Sequence, residues 1–293
     1  MTSPGTESST EPTPEAPEPH DLGLSHDLPT LLNRRHAIGL LSVGGLVAAL
    51  AACAPTSGVN GDASTGAPTG GPSSGDRGDS QADVGSGEIP EETGGPFPAD
   101  GTNGPNILTT TGVVRSDITT SFGDSSGTAE GIPLTFSLTV VDVSGEGDAG
   151  TPVAGAAVYA WHCDREGRYS MYDITDQNYL RGVQEADADG TVTFTSIFPA
   201  CYPGRWPHIH FEVYPSLEDA TSATNRMRTS QLALPQAVSE AVYATAGYEQ
   251  SVANLQGVTL DSDMVFSDGF ALQMAKTSGS VGQGYTATLR VPV

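Results

Sequence analysis

The sequence predicts an all-β fold, a β-sandwich of mostly antiparallel strands carrying one short helical segment. Short stretches of alternating apolar and polar residues recur between Pro133 and Val291, the period-two pattern of strands with one buried face. Clusters of Gly, Asp and Pro separate them, which is turn chemistry. Only residues 235–255 space their apolar side chains for a helix, and no internal repeat is evident.

The first third of the 293 residues has the wrong composition for a core. Residues 1–32 are rich in Pro, Glu, Ser and Thr without Phe, Trp or Tyr, a composition expected to be disordered. Asn33-Arg34-Arg35-His36 then precedes an apolar run, Ala37 to Ala52, too short and too rich in Gly and Ala for a membrane span. Residues 1–53 therefore read as an extension plus signal peptide. The paired arginines suggest a twin-arginine signal. Leu50-Ala51-Ala52-Cys53 looks like a bacterial lipobox, so Cys53 is a candidate lipidation site. An ordinary signal peptide with an incidental Cys53 is the other reading. Either way the expected location is outside the cytoplasm, secreted or held on the outer face of the cytoplasmic membrane by the lipid anchor.

Residues 54–90 are mostly Gly, Ser, Thr, Pro and Asp. They read as a flexible tether with an r.m.s. reach of about 30–35 Å. The formal net charge is −23 and Lys276 is the only lysine. A nucleic-acid partner needs a basic footprint, so that class is excluded. The same charge repels an anionic lipid surface and favours solubility.

The globular domain is expected over 91–293. Pro133 to Val143 alternates cleanly as the first strand, and Ser144 to Gly150 ends it in a loop. Ala156 to Cys163 is the second, with Tyr159, Trp161 and Cys163 on one face. A polar turn, Asp164 to Ser170, presents Tyr169. Thr191 to Phe198 is a further strand, and Thr229 to Leu234 another. Phe270 to Met274 and Tyr285 to Val291 are expected to close the domain as strands. The helical stretch 235–255 opens at Pro235 or Gln236 and repeats Val238, Val242 and Ala246.

Between these lies Cys201-Tyr202-Pro203-Gly204-Arg205-Trp206-Pro207, a turn running into His208-Ile209-His210-Phe211-Glu212-Val213. On a strand His208 and His210 project from one side, about 7 Å apart along the backbone. Such a pair is either chance surface or half of a metal site. Only three of the six histidines lie beyond the N-terminal region, and two of them fall here beside a Tyr and an Arg. That favours a ligand pair. Tyr169 by itself reads equally as a half-buried packing aromatic.

Tyr202-Pro203-Gly204-Arg205-Trp206-Pro207-His208-Ile209-His210-Phe211 resembles the iron-ligand signature of the intradiol ring-cleavage dioxygenases, the catechol and protocatechuate dioxygenase superfamily, in particular its exported single-domain branch. The likeness extends to Glu92-Thr93-Gly94-Gly95-Pro96-Phe97 and Val113-Val114-Arg115-Ser116-Asp117. It continues through Trp161-His162-Cys163-Asp164 with Gly167-Arg168-Tyr169-Ser170, then Tyr179 to Gln184, and Thr229-Ser230-Gln231-Leu232. Within it Arg115 and Asp117 suit a structural ion pair as well as any chemical role.

The resemblance implies that Tyr169, Tyr202, His208 and His210 bind a non-haem Fe(III) ion. It implies that Tyr202 is the ligand that leaves when an aromatic diol chelates the metal. O2 then cleaves the ring between the two hydroxyl-bearing carbons to a muconate-type diacid. Arg205 is implied to stabilise charge on the ring, and Gln231 to orient the substrate. Phenolate is a hard anionic donor, consistent with a ferric ion. Only five residues, Pro203 to Pro207, separate Tyr202 from His208; the cytoplasmic enzymes have a longer insertion there, so this pocket is expected to be more open. With Cys53 set aside, Cys163 and Cys201 are an even pair in an oxidising compartment, and a disulfide between them is expected, two buried thiols being the alternative. The competing functional reading is an exported ferric- or catechol-binding β-sandwich without turnover.

Overall fold

The computed structural model describes residues 87–145 and 149–293. The expectations for the signal region, Cys53 and most of the tether lie outside these residues. Among the described residues no helix is long and apolar enough to cross a membrane.

Two sheets make the sandwich. The first contains β1 (Pro133–Asp142), β2 (Thr151–Pro152), β5 (Thr191–Ile197), β8 (Lys276–Ser280) and β9 (Gly284–Pro292). β1 is its centre: β9 lies along one side in parallel, Leu134 opposite Tyr285, and β5 and β2 share the other side antiparallel. β8 closes the edge beyond β9. The second sheet runs β4 (Arg181–Glu185), β3 (Ala157–Trp161), β6 (His208–Tyr214), β7 (Arg228–Ala233), antiparallel throughout.

Alternation decides which side chains fill the space between the sheets. Leu134, Phe136, Leu138 and Val140 of β1 meet Val158 and Ala160 of β3 and Ile209, Phe211 and Val213 of β6 in one continuous core. Yet every residue of β3 and β6 is buried, on both faces. The outer face of the second sheet carries Tyr159, Trp161, His210 and Tyr214 and is covered by an arm, residues 89–122, and by the 164–180 loop. The site therefore lies under these loops on the outer face, not in the space between the sheets.

The arm is pinned by Arg181, a fully buried cation. It donates to the Pro98 and Phe97 carbonyls at 3.0 and 2.9 Å and to the Ser170 carbonyl at 2.9 Å. Arg115 caps the other end, donating through Nε and Nη2 to the Arg181 carbonyl at 3.0 and 2.6 Å and stacking over Phe122 at 4.5 Å. Its guanidinium is thus committed to backbone oxygens, while Asp117 accepts from the Thr119 amide and hydroxyl.

Three expectations are corrected. The stretch 235–255 is two helices, α1 (Gln236–Tyr243) and α2 (Glu249–Gln256). The first ends with Ala244 as its cap, and Gly247, at φ +94° beside the Arg165 side chain, turns the chain before the second begins. The break lets Tyr243 and Tyr248 donate to the Pro199 and Phe198 carbonyls. Second, Phe270 to Met274 is a turn: the Gln273 and Met274 amides both donate to the Phe270 carbonyl. The strand is the polar stretch Lys276–Ser280 that follows, largely exposed as suits an edge. Third, Cys163 and Cys201 are free buried thiols. The Cys163 thiol turns to the Ala200 carbonyl and belongs to the outer cluster, whereas Cys201 turns to the Arg205 carbonyl and belongs to the main core.

Candidate metal centre

β6 begins at His208 because Pro207, which has no amide hydrogen, ends the turn before it. Side-chain alternation then puts His208 and His210 on the outer face, with Ile209 in the core. The His208 Nδ1–H donates to the Trp206 carbonyl, which fixes the tautomer and leaves the Nε2 lone pair facing the site. His210 is held by its neighbours: it stacks on Trp161 at 4.9 Å and 6°, paired in register on β3. On its other side runs Gly95, where a Cβ would lie 3.4 Å from His210 Cε1.

The tyrosines arrive on loops. Tyr169, 2% exposed, is braced by Phe97 at 4.9 Å, and its amide donates to Asp173. Tyr202 is half-buried, followed by exposed Pro203 and Gly204.

The four predicted donors converge. Tyr169 Oη lies 3.3 Å from Tyr202 Oη, Tyr202 Oη 3.0 Å from His208 Nε2, and His208 Nε2 3.1 Å from His210 Nε2. Two donors bound to one ion at bond lengths of about 2.0–2.2 Å stand about 3 Å apart. The spacing thus fits one shared metal ion. Among the described residues no group of three or more His, Cys, Asp or Glu could hold a metal, so the phenols are needed to complete a set.

Burial governs the charge of the site. It pushes Tyr169 well above the usual phenol value and Tyr202 to about 12, with the Arg205 charge opposing in both. It holds His208 and His210 well below the usual imidazole value, and Arg205 lowers them further. The donors are therefore neutral at pH 7, and only a cation of high charge density displaces phenol protons there. A ferric ion fits that chemistry.

Beside the donors lies a buried polar line. Arg205 Nη2 donates to Gln231 Oε1 at 2.6 Å and Arg205 Nε to Asp263 Oδ2 at 3.0 Å. Gln231, opposite His210 in register, donates on to the Thr93 carbonyl at 2.9 Å. Arg205 and Gln231 were legible in the motifs, but Asp263 was not: it stands in an acidic loop with no neighbouring signal. His162 is no ligand; it donates from Nδ1 to the Cys163 carbonyl and accepts from Ser196 at 2.7 Å.

A family model described as Dioxygenase matches residues 103–216, the span holding Tyr169, Tyr202, His208 and His210. Over that span the chain is similar to the Dioxygenase family. Individual dioxygenases are similar to parts of this chain as well. A solved intradiol ring-cleavage dioxygenase from Tetranychus urticae shares the fold at TM-score 0.53 and 24% identity, over 70% of this chain and 94% of that one. The catechol 1,2-dioxygenase 1 of Acinetobacter lwoffii is 43% identical over 60 residues, 19% of each chain. The hydroxyquinol 1,2-dioxygenase of Corynebacterium glutamicum is 29% identical over 109 residues, 31% of this chain and 35% of that one. The chain thus spans between about a fifth and a third of the length of these curated relatives.

Proposed function

We propose that this protein is a non-haem Fe(III) intradiol dioxygenase that cleaves a catechol-type aromatic diol with O2, between the hydroxyl-bearing carbons, to a muconate-type diacid. The reading is carried by one observation, the convergence of Tyr169, Tyr202, His208 and His210 donor atoms at 3.0–3.3 Å. Its location is proposed to be outside the cytoplasm, anchored through lipid on Cys53 or secreted.

Tyr169, Tyr202, His208 and His210 would hold the ion. When bound, it supplies the Lewis acidity that chelates the diol and draws electron density from its ring, so that O2 reacts at carbon. Tyr202 is the ligand fitted to leave. Its loop is open at Gly204, where a Cβ would meet nothing within 4 Å, whereas Tyr169 is enclosed by Phe97 and Asp173. With the ion held, Tyr202 would be a phenolate, and its Oη would be placed to take one hydroxyl proton of the substrate. Arg205, with its charge fixed by Asp263 and Gln231, faces the negative charge that builds on the ring and stabilises it. Gln231 has both ends of its amide engaged, so it acts by holding Arg205.

The test is the purified full chain loaded with Fe(III). A visible tyrosinate-to-iron band is expected, bleached in Tyr169→Phe and His208→Ala, with one O2 consumed per catechol, hydroxyquinol or protocatechuate. The band without O2 uptake for any diol leaves a ferric-binding protein, and no band removes the metal centre.

A further inference from the structure

The geometry points to Asp263 as the positioning residue that aims Arg205 at the site. Asp263 is completely buried, and a buried carboxylate stands only where its oxygens are satisfied. Oδ2 accepts from Arg205 Nε at 3.0 Å and from the Trp206 amide at 2.6 Å. Oδ1 accepts from the Val265 amide at 2.8 Å and the Phe266 amide at 3.3 Å. One side chain thus binds the loop between Tyr202 and His208 to the turn at 259–268.

That turn is itself locked. The Thr259 amide donates to Ser262 Oγ at 2.8 Å, and the Asp263 amide to the Thr259 carbonyl at 2.9 Å. Phe266, whose amide is one of the two Oδ1 contacts, sets its ring edge-on to His208 at 6.5 Å. Asp263 is therefore a fixed anchor.

Arg205 needs such an anchor because its guanidinium is a planar fork whose direction is set by what its nitrogens engage. Gln231 holds one Nη, and Asp263 holds Nε from the opposite element. With either contact alone the fork can pivot. With both, the cation is held beside the histidine strand, since Gln231 lies opposite His210 in register. Asn in place of Asp263 retains one acceptor oxygen and cannot serve both the Arg205 side and the Val265 side.

The rate measurement rests on the dioxygenase reading, so a second readout is independent of it. In 15N-labelled full chain, the Arg205 Nε–H is expected to exchange slowly, and Asp263→Asn is expected to speed that exchange at least tenfold while the dispersed core resonances stay in place. In O2 uptake with a catechol, D263N is expected to lower kcat about a hundredfold with KM within a few-fold, and D263N combined with Arg205→Gln to be no slower than R205Q alone. Unchanged Nε–H protection in D263N, or losses that multiply in the double variant, overturns the inference. Should wild type consume no O2 with any diol, the proposed activity falls and the exchange rates still decide whether Asp263 positions Arg205. If D263N does not fold because its amide faces the Arg205 and Trp206 donors, Asp263→Ser removes that clash and carries the same expectations.

Discussion

At Gly95 the backbone turns through φ +73° against the edge of His210. A side chain there must take a left-handed conformation and would lie in contact with the His210 ring. Gly95→Ala is expected to destabilise the fold by about 1–2 kcal/mol through the backbone alone, measured by urea unfolding, and to shift the visible band as His210 moves. His162 makes a second, opposite kind of prediction. Burial holds it down to about 4, whereas an unfolded histidine titrates near 6.5. Between those values the unfolded chain binds a proton that the folded chain refuses. Stability is therefore complete above about pH 6.5 and declines as pH falls toward 4, by about 3 kcal/mol for this residue. His162→Gln is expected to flatten that part of the stability-pH curve. Of these residues the sequence displayed the histidine pair by itself, because histidines are few and a strand sets their spacing, whereas Tyr169 and Tyr202 stood out only through the resemblance. It could not display Asp263, whose importance comes from a partner 58 positions away.

Among the elements, strands were readable wherever one face met the core, as in Pro133–Asp142 and Thr191–Ile197. The errors came where local chemistry and tertiary pairing part. Phe270 to Met274 is apolar enough for a strand but closes into a turn and makes only a single bridge, Met274 to Ala233 on the edge of β7, and the polar Lys276–Ser280 takes the place beside β9. The helix break at Gly247 was visible only as a glycine in an otherwise periodic run. The arm is held by isolated bridges to β4 and β5 and by the Arg181 side chain. Arg181→Met is expected to leave buried carbonyls of Phe97 and Ser170 without donors and to destabilise the protein by roughly 3 kcal/mol or more. Its second effect should be weaker iron retention, because Phe97 braces Tyr169; chelator competition measures it.

For the molecule as a whole, the proposed ion would link four residues from two loops and one strand. Any ligand that binds only the folded chain raises stability by mass action, about 2.7 kcal/mol at one hundred times its Kd. Removing the ion with a chelator is expected to lower Tm, and Tyr202→Phe to shrink the difference between loaded and stripped protein. The sandwich itself was legible in the sequence, but the site's position on the outer face was not. Alternation says which residues share a side; it does not say which side a later arm will cover.

β9 pairs with β1 on one side and β8 on the other, so the first sheet is unfinished until a strand synthesised long after β1 arrives. β6, with both histidines, leaves the ribosome earlier. During translation the nascent chain thus passes through a stage in which both imidazoles have been made but the sheet behind them is still open, so the pair is set in its final surroundings only once the C-terminal strand has docked.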